Sequence, residues 1–122
     1  MQETPYLFSL FTKHWNLPAP ELGEFVAQLG FHGVEFPVRP GFEVTPENVG
    51  EGLPKAADAL AKHGLTIFSV AGPADEATIA ACGIAGIPFI RVMVPVPEGD
   101  GYLETVEATR KEYEQLTPLL EK

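Results

Sequence analysis

Two charged side chains, Glu35 and Arg91, lie within otherwise apolar runs of the chain. An unpaired charge inside an apolar strand is costly because it gives up its hydration. The two residues are therefore expected to point to the same side of a sheet and to form a charge-assisted pair. Two interpretations of this pair stay open at this point. It is either a structural ion pair or a functional group that contacts a substrate hydroxyl or positions a metal ligand.

Three further candidates follow strand-like runs, at positions where chains of alternating strands and helices place binding residues. His14 and Trp15 come directly after the first run, and Arg39 follows the second. His14 could bind or protonate a substrate, and the Trp15 ring could pack against one. Arg39 could meet a phosphate or a carboxylate. The alternative for His14 is an ordinary surface histidine.

Four β-rich runs position these residues, and each is followed by a helical pattern. Glycines close three of the helical patterns, at Gly30, Gly64 and Gly86, where a left-handed conformation would end a helix. Alternating strands and helices predict parallel βαβ units, so residues 1–122 are expected to form a single α/β domain. The predicted strands are Tyr6–Thr12, Gly33–Val38, Leu65–Ala71 and Phe89–Val94.

The second helix carries the clearest start signal. Thr45 is expected to be its N-cap, with Pro46 at the first helical position. Because Pro54 removes a backbone donor from the interior, the sequence predicts a short turn over 46–51 and a main helix over 53–63.

Several other polar residues are explained by local structure alone. Asp75 and Asp100 are expected to cap the third and fourth helices. His32 and His63 fall in turns that connect a helix to the next strand, where a structural role is favoured. Cys82 lies among small residues and is expected to be a buried, unreactive thiol.

Composition limits the classes of partner. The net charge of −9 argues against nucleic acid, whose phosphates require a basic face. Hydrophobic residues make up 45% of the chain, which argues against disorder. A single cysteine cannot form an internal disulfide, and the sequence shows neither a signal peptide nor an apolar run of about 20 residues. The expected location is cytoplasmic, with no membrane partner.

Several short motifs carry a resemblance to a known family. The segments Gly30–Glu35, Val38–Gly41 and Ile90–Val92 resemble the N-terminal half of the xylose-isomerase-like TIM barrels, the sugar phosphate isomerase/epimerase group. The segments Phe11–His14 and Val44–Glu47 fit the same pattern. The resemblance extends over essentially the whole chain and implies that the fold is a (βα)4 half of a TIM barrel with parallel strands.

The resemblance also sets expectations about chemistry. A complete family barrel has roughly 250 residues and holds a divalent metal through two glutamates, an aspartate and a histidine on its later strands. Those strands are missing here, so this chain alone is expected to have no cofactor, no metal site and no activity, and its catalytic residues stay unassigned. It would contribute pocket walls for a small sugar or sugar phosphate. The expected substrate-binding residues are His14, Trp15, Glu35, Arg39 and Arg91.

The family also suggests partners and alternatives. The expected partner is a second copy of the chain or a complementary C-terminal half-barrel. One alternative is a self-associating half-barrel with a structural role and no catalysis. An endonuclease IV-like enzyme is less favoured, because no histidine follows the second or third strand, at Pro37 and 71–73, and the chain is acidic. A flavodoxin-like open sheet of four units is a further alternative for the fold.

Overall fold

The computed structural model describes residues 6–99 and 101–121 and shows an α/β fold. Four parallel strands form one sheet, as predicted. A short 3-10 helix, Thr12–His14, follows the first strand. The strands are β1 Ser9–Phe11, β2 Gly33–Pro37, β3 Thr66–Ala71 and β4 Phe89–Arg91, and the helices are α1 Ala19–Gln28, α2 Val49–Ala61, α3 Glu76–Ala85 and α4 Tyr102–Leu120.

The strands lie in the order β1-β2-β3-β4, the same as their order along the chain. A doubly wound fold such as flavodoxin reverses its strand order at a switch point. The sheet of this chain has no such reversal within the described residues, so the flavodoxin-like alternative is wrong. Its strand order is that of consecutive βα units in which each strand pairs with the next.

The helices cover only one face of the sheet. Val34 and Phe36 of β2 are buried in a core shared with α1, α2 and α3. Because side chains alternate along a strand, Glu35 points to the opposite face. That face also carries Phe89, which is 69% exposed. We call it the uncovered face; it is formed by Phe11, Gly33, Glu35, Phe68, Ser69, Ala71, Phe89 and Arg91.

The two edge strands are shorter than the sequence predicts. β1 and β4 have three residues each, where runs of 6–12 and 89–94 were expected. The 6–12 run is mostly apolar and aromatic, which is typical of a strand buried on both faces, yet Ser9 is exposed and Leu10 and Phe11 are only partly buried. Each edge strand has a hydrogen-bonded neighbour strand on one side only, and helices cover only one of its two faces.

The second helix differs from the prediction in its first turns. Thr45 and Asn48 exchange side-chain to backbone hydrogen bonds, with Asn48 Oδ1 accepting from the Thr45 N–H at 2.8 Å. These bonds close a turn over 46–48, and α2 begins after that turn at Val49 with Asn48 as its N-cap. The predicted N-cap at Thr45 and first helical position at Pro46 are therefore wrong. Pro54 lies inside the helix, so the expected break before Leu53 is absent. Proline there removes one backbone bond near the N-terminal end of a helix whose other side chains are anchored in the core.

The other helix-end predictions are confirmed where the structure describes them. Asp75 Oδ1 accepts the Thr78 N–H at 2.8 Å and caps α3. The three predicted terminating glycines all have positive φ, between 75° and 86°, at Gly30, Gly64 and Gly86. The predicted cap Asp100 lies outside the described residues. Across the described part of the chain, none of the helices has the length and apolar character needed to cross a membrane.

Candidate functional site on the uncovered face

The predicted pairing of Glu35 with Arg91 is present. Arg91 Nε donates to Glu35 Oε1 at 2.5 Å, and the hydroxyl of Ser69 donates to Glu35 Oε2 at 2.8 Å. The Glu35 side chain is 18% exposed and that of Arg91 42% exposed. Both carboxylate oxygens are therefore engaged, and the carboxylate is held in one orientation on the uncovered face.

The pair spans β3, which lies between the strands that carry its two members. On β3, Ser69 is in register with Glu35, and Ala71 is in register with Arg91. These two residues are small, so the arginine side chain can reach across the strand to the carboxylate. The cluster of Glu35, Ser69 and Arg91 thus joins three neighbouring strands through side chains as well as through the backbone.

The aromatic ring of Phe11 brings a second arginine to this cluster. The guanidinium carbons of Arg91 and Arg39 lie 4.8 Å and 5.6 Å from the Phe11 ring centroid, within the range of cation–π contacts. Among the described residues, Arg39 forms no salt bridge with a carboxylate. Its positive charge is therefore uncompensated by the neighbours that the structure shows.

A shallow depression of about 330 Å³ lies beside the two arginines, at the carboxyl ends of β2, β3 and β4. Arg39 and Arg91 both line it, so a small anionic molecule there could contact both guanidinium groups. Its lining residues are Val38, Arg39, Pro40, Pro46, Gly72, Pro73, Arg91 and Met93.

His14 and Trp15 follow β1, as predicted, but the Trp15 ring packs against the helix layer and not on the uncovered face. The two rings meet edge to face at 5.9 Å, and the Trp15 ring packs against Phe25 of α1 at 5.3 Å. Trp15 is partly buried against the core, whereas His14 is exposed. The structure therefore brings Glu35, Arg39 and Arg91 together and places the Trp15 ring against the helix layer.

The other two histidines have structural contacts, as expected. His32 Nδ1 accepts the Phe8 N–H at 2.9 Å, and its ring stacks on that of Phe8. The ring of His63 lies over Gly23 of α1, where an added Cβ would come within 2.6 Å of it. These contacts fix the start of β1 and the packing of α1 on α2.

The metal donor set that the resemblance implies, two glutamates, an aspartate and a histidine, is not assembled by the part of the chain that the structure describes. No group of three His, Cys, Asp or Glu side chains comes together there. Glu35 lies beside Arg91, which lines the depression. Both of its carboxylate oxygens already accept hydrogen bonds, one from Arg91 and one from Ser69. These residues do not fit a metal centre, and we derive no step that uses a metal here.

Sequence reasoning did not identify Ser69 or Phe11 as members of the site. A β-bulge in β3 sets the position of Ser69, because the pairing register shifts between Val34 and Glu35. Phe68 is the extra residue, and its ring lies over Gly33. A period-two pattern cannot reveal a bulge, so no signal in the sequence placed Ser69 beside Glu35.

The ion pair gives a first testable expectation. Arg91→Met leaves the Glu35 carboxylate with Ser69 as its remaining partner, and Glu35→Gln removes the charge that Arg91 faces. Because the arginine is partly solvated, we expect a coupling energy of about 1 kcal/mol in a double-mutant cycle of unfolding free energies. Additive effects of the two substitutions would contradict a direct pair.

A separate apolar groove of about 390 Å³ lies between α3, β4 and α4. It is lined by Cys82, Tyr113 and Leu116, among others. Apolar side chains recur along α4 at helical spacing, among them Val106, Tyr113 and Leu116, yet none of its described residues is buried. The groove marks the place where this helix packs loosely on its own sheet.

Burial in this groove raises the pKa of the Cys82 thiol to about 11. The thiolate is the reactive form, so at pH 8 we expect a disulfide reagent to label Cys82 slowly in the folded protein and rapidly in denaturant. The folded-state rate should rise with pH toward 11. Equal rates in folded and unfolded protein at pH 8 would contradict a protected thiol.

The chain was compared with known proteins. It matches no protein-family model and no curated protein.

Proposed function

We propose that this chain is the (βα)4 half of a xylose-isomerase-like TIM barrel, and that it forms the substrate-binding walls of a sugar phosphate isomerase or epimerase. The observation that carries the proposal is the Glu35–Ser69–Arg91 cluster on the uncovered face of a sheet with strand order β1-β2-β3-β4. A cytoplasmic location belongs to the same proposal and is supported by the free thiol of Cys82.

The half-barrel interpretation rests on how a TIM barrel is built. Each strand of such a barrel pairs with the next one in the chain, and the helices form an outer layer. The described sheet has this strand order, and its helices cover one face. The uncovered face would then correspond to the barrel interior, and the carboxyl ends of the strands to the end where barrel enzymes bind their substrates.

The charges on this face suit a phosphorylated sugar. Arg39 forms no salt bridge with a carboxylate among the described residues and lies beside the depression, so it would bind the phosphate group. Each Glu35 oxygen accepts one hydrogen bond, from Arg91 or from Ser69. Its remaining lone pairs would accept a hydrogen bond from a sugar hydroxyl. In this proposal the base that moves a proton next to the carbonyl, and any metal, belong to the other half of the barrel.

Calorimetric titration with D-fructose 6-phosphate tests this assignment. Arg39→Gln should weaken binding about tenfold or more, because one charge-assisted contact is lost. Lys55→Gln is the matched control, since it removes one positive charge from an exposed site on α2. The two substitutions change the net charge equally, so a general electrostatic effect would weaken both.

An isomerisation assay with added Mn²⁺ on the same samples completes the test. The proposal expects sugar phosphate binding without turnover by this chain alone. Equal loss of affinity in the Arg39 and Lys55 variants, or no measurable binding, would overturn the assignment. Turnover by the chain alone would show catalytic groups that the cluster does not include.

The structural alternative, a half-barrel without catalysis, has its own supporting observation. Large apolar side chains are exposed near both sheet edges, among them Leu7 and Met93. A chain with this role would associate but would bind no sugar phosphate. The titration therefore separates the two proposals.

A further inference from the structure

We infer that a second copy of this chain covers its uncovered face and its two open sheet edges, with β4 of each protomer pairing in parallel with β1 of its partner around a two-fold axis. This inference rests on the proposed half-barrel and adds the identity of the partner. It also makes the binding site a shared one, because each uncovered face would be closed by that of the other protomer.

The exposed area of the chain is large for its size. A compact monomer of 13.2 kDa is expected to expose about 6,400 Å², whereas this chain exposes 8120 Å². The excess is about 1,700 Å², and a stable interface typically buries about 800 Å² on each partner. Part of this surplus is apolar surface at the sheet edges and on the uncovered face, where a partner could cover it.

The surplus includes large apolar side chains at both open edges of the sheet. Leu7 and Phe8 lie at the start of β1, and Phe89 lies on β4. Met93, Val94 and Val96 follow β4 and are also exposed. β1 and β4 are equal in length, with three residues each, so the edge of one can pair fully with the edge of the other.

The helix layer is incomplete at its two ends in the same way. α4 packs beside α3 and buries none of its described residues, and its Leu103 is exposed. At the other end, Leu29, the residue that follows α1, is exposed. Pairing β4 with the partner's β1 would bring α4 beside the partner's α1 and give α4 a second helical neighbour.

A two-fold arrangement satisfies both edges at once. Each protomer contributes one β1 edge and one β4 edge, so two identical junctions close an eight-stranded barrel with no edge left unpaired. A face-to-face stack of two sheets would cover the apolar side chains but would leave the edges open. The two Glu35–Arg91 clusters would face one interior, and the partner would complete the wall of each depression.

Sedimentation equilibrium on the full chain tests this inference. The expected species has twice the chain mass of 13.2 kDa. Phe89→Glu on the β4 edge and Leu7→Glu on the β1 edge should each raise the dimer dissociation constant about 100-fold or more, because a carboxylate would be buried at a junction. Ile84→Glu is the matched control: Ile84 on α3 is 75% exposed, as exposed as Phe89, and away from both junctions.

Circular dichroism and thermal unfolding of each variant would verify that it is folded. A folded wild-type monomer across the concentration range would overturn the inference. Equal weakening by all three substitutions, or a dimer unaffected by either edge variant, would also overturn it. Sugar phosphate binding is measured separately, so a monomer that binds D-fructose 6-phosphate would contradict the dimer and leave the proposed function standing.

Discussion

Gly33→Ala should lower the free energy of unfolding by at least about 3 kcal/mol, because the added methyl group has no space. A Cβ at this position would overlap the carbonyl oxygen of Thr66 and lie 2.6 Å from the Phe68 ring. The carbonyl belongs to the backbone of the neighbouring strand and cannot rotate away. Relief would require β2 and β3 to separate at the bulge that places Ser69 beside Glu35.

A second glycine provides the control for this substitution. Gly83 lies inside α3, and an added Cβ there would meet nothing within 4 Å. Gly83→Ala should therefore stabilise the protein by roughly 0.5–1 kcal/mol, because alanine loses less backbone entropy in a helix. Urea unfolding of both variants gives the comparison. A Gly33→Ala protein as stable as wild type would show that β2 and β3 are not packed as described.

Leu60→Ala should cost about 3 kcal/mol of unfolding free energy, since it leaves a cavity in the core. Leu60 is 0% exposed, lies on α2 and contacts the region of Gly23 on α1. The same substitution at Leu29, which is 50% exposed, should cost well under half as much, because less apolar surface is lost from the interior.

The two leucine variants measure where the core lies. They are compared by urea unfolding, with slopes checked for a common unfolded state. Similar losses at Leu60 and Leu29 would contradict a core located between the sheet and the helix layer.

The Glu35–Arg91 pair was predictable from the sequence because its physical cause is local. Charges in apolar strands need partners. In a parallel sheet, side chains at matching heights on alternate strands point to the same face, so a residue of β2 can meet one of β4. The same reasoning identified the capping role of Asp75 and the helix ends at Gly30 and Gly86, which depend on neighbouring residues alone.

The features that the sequence did not reveal depend on contacts between distant segments. The bulge at Phe68 depends on how β3 fits against β2, and the joint contact of Arg39 and Arg91 with Phe11 requires three strands in place. Pro54 was expected to break α2, but the anchoring of that helix in the core outweighs one lost hydrogen bond. α4 is exposed because it lies at the open end of the helix layer. The spacing of apolar residues in a helix does not show whether the helix has a neighbour on each side.

The uncovered face, with its Glu35–Ser69–Arg91 cluster, is expected to bind the ligand. Amide chemical shifts measured by NMR during a titration with D-fructose 6-phosphate locate the bound ligand directly. We expect the largest shifts at Glu35, Arg39, Ser69 and Arg91. Shifts centred on the groove that contains Cys82 and Leu116, or no shifts at saturating ligand, would contradict it.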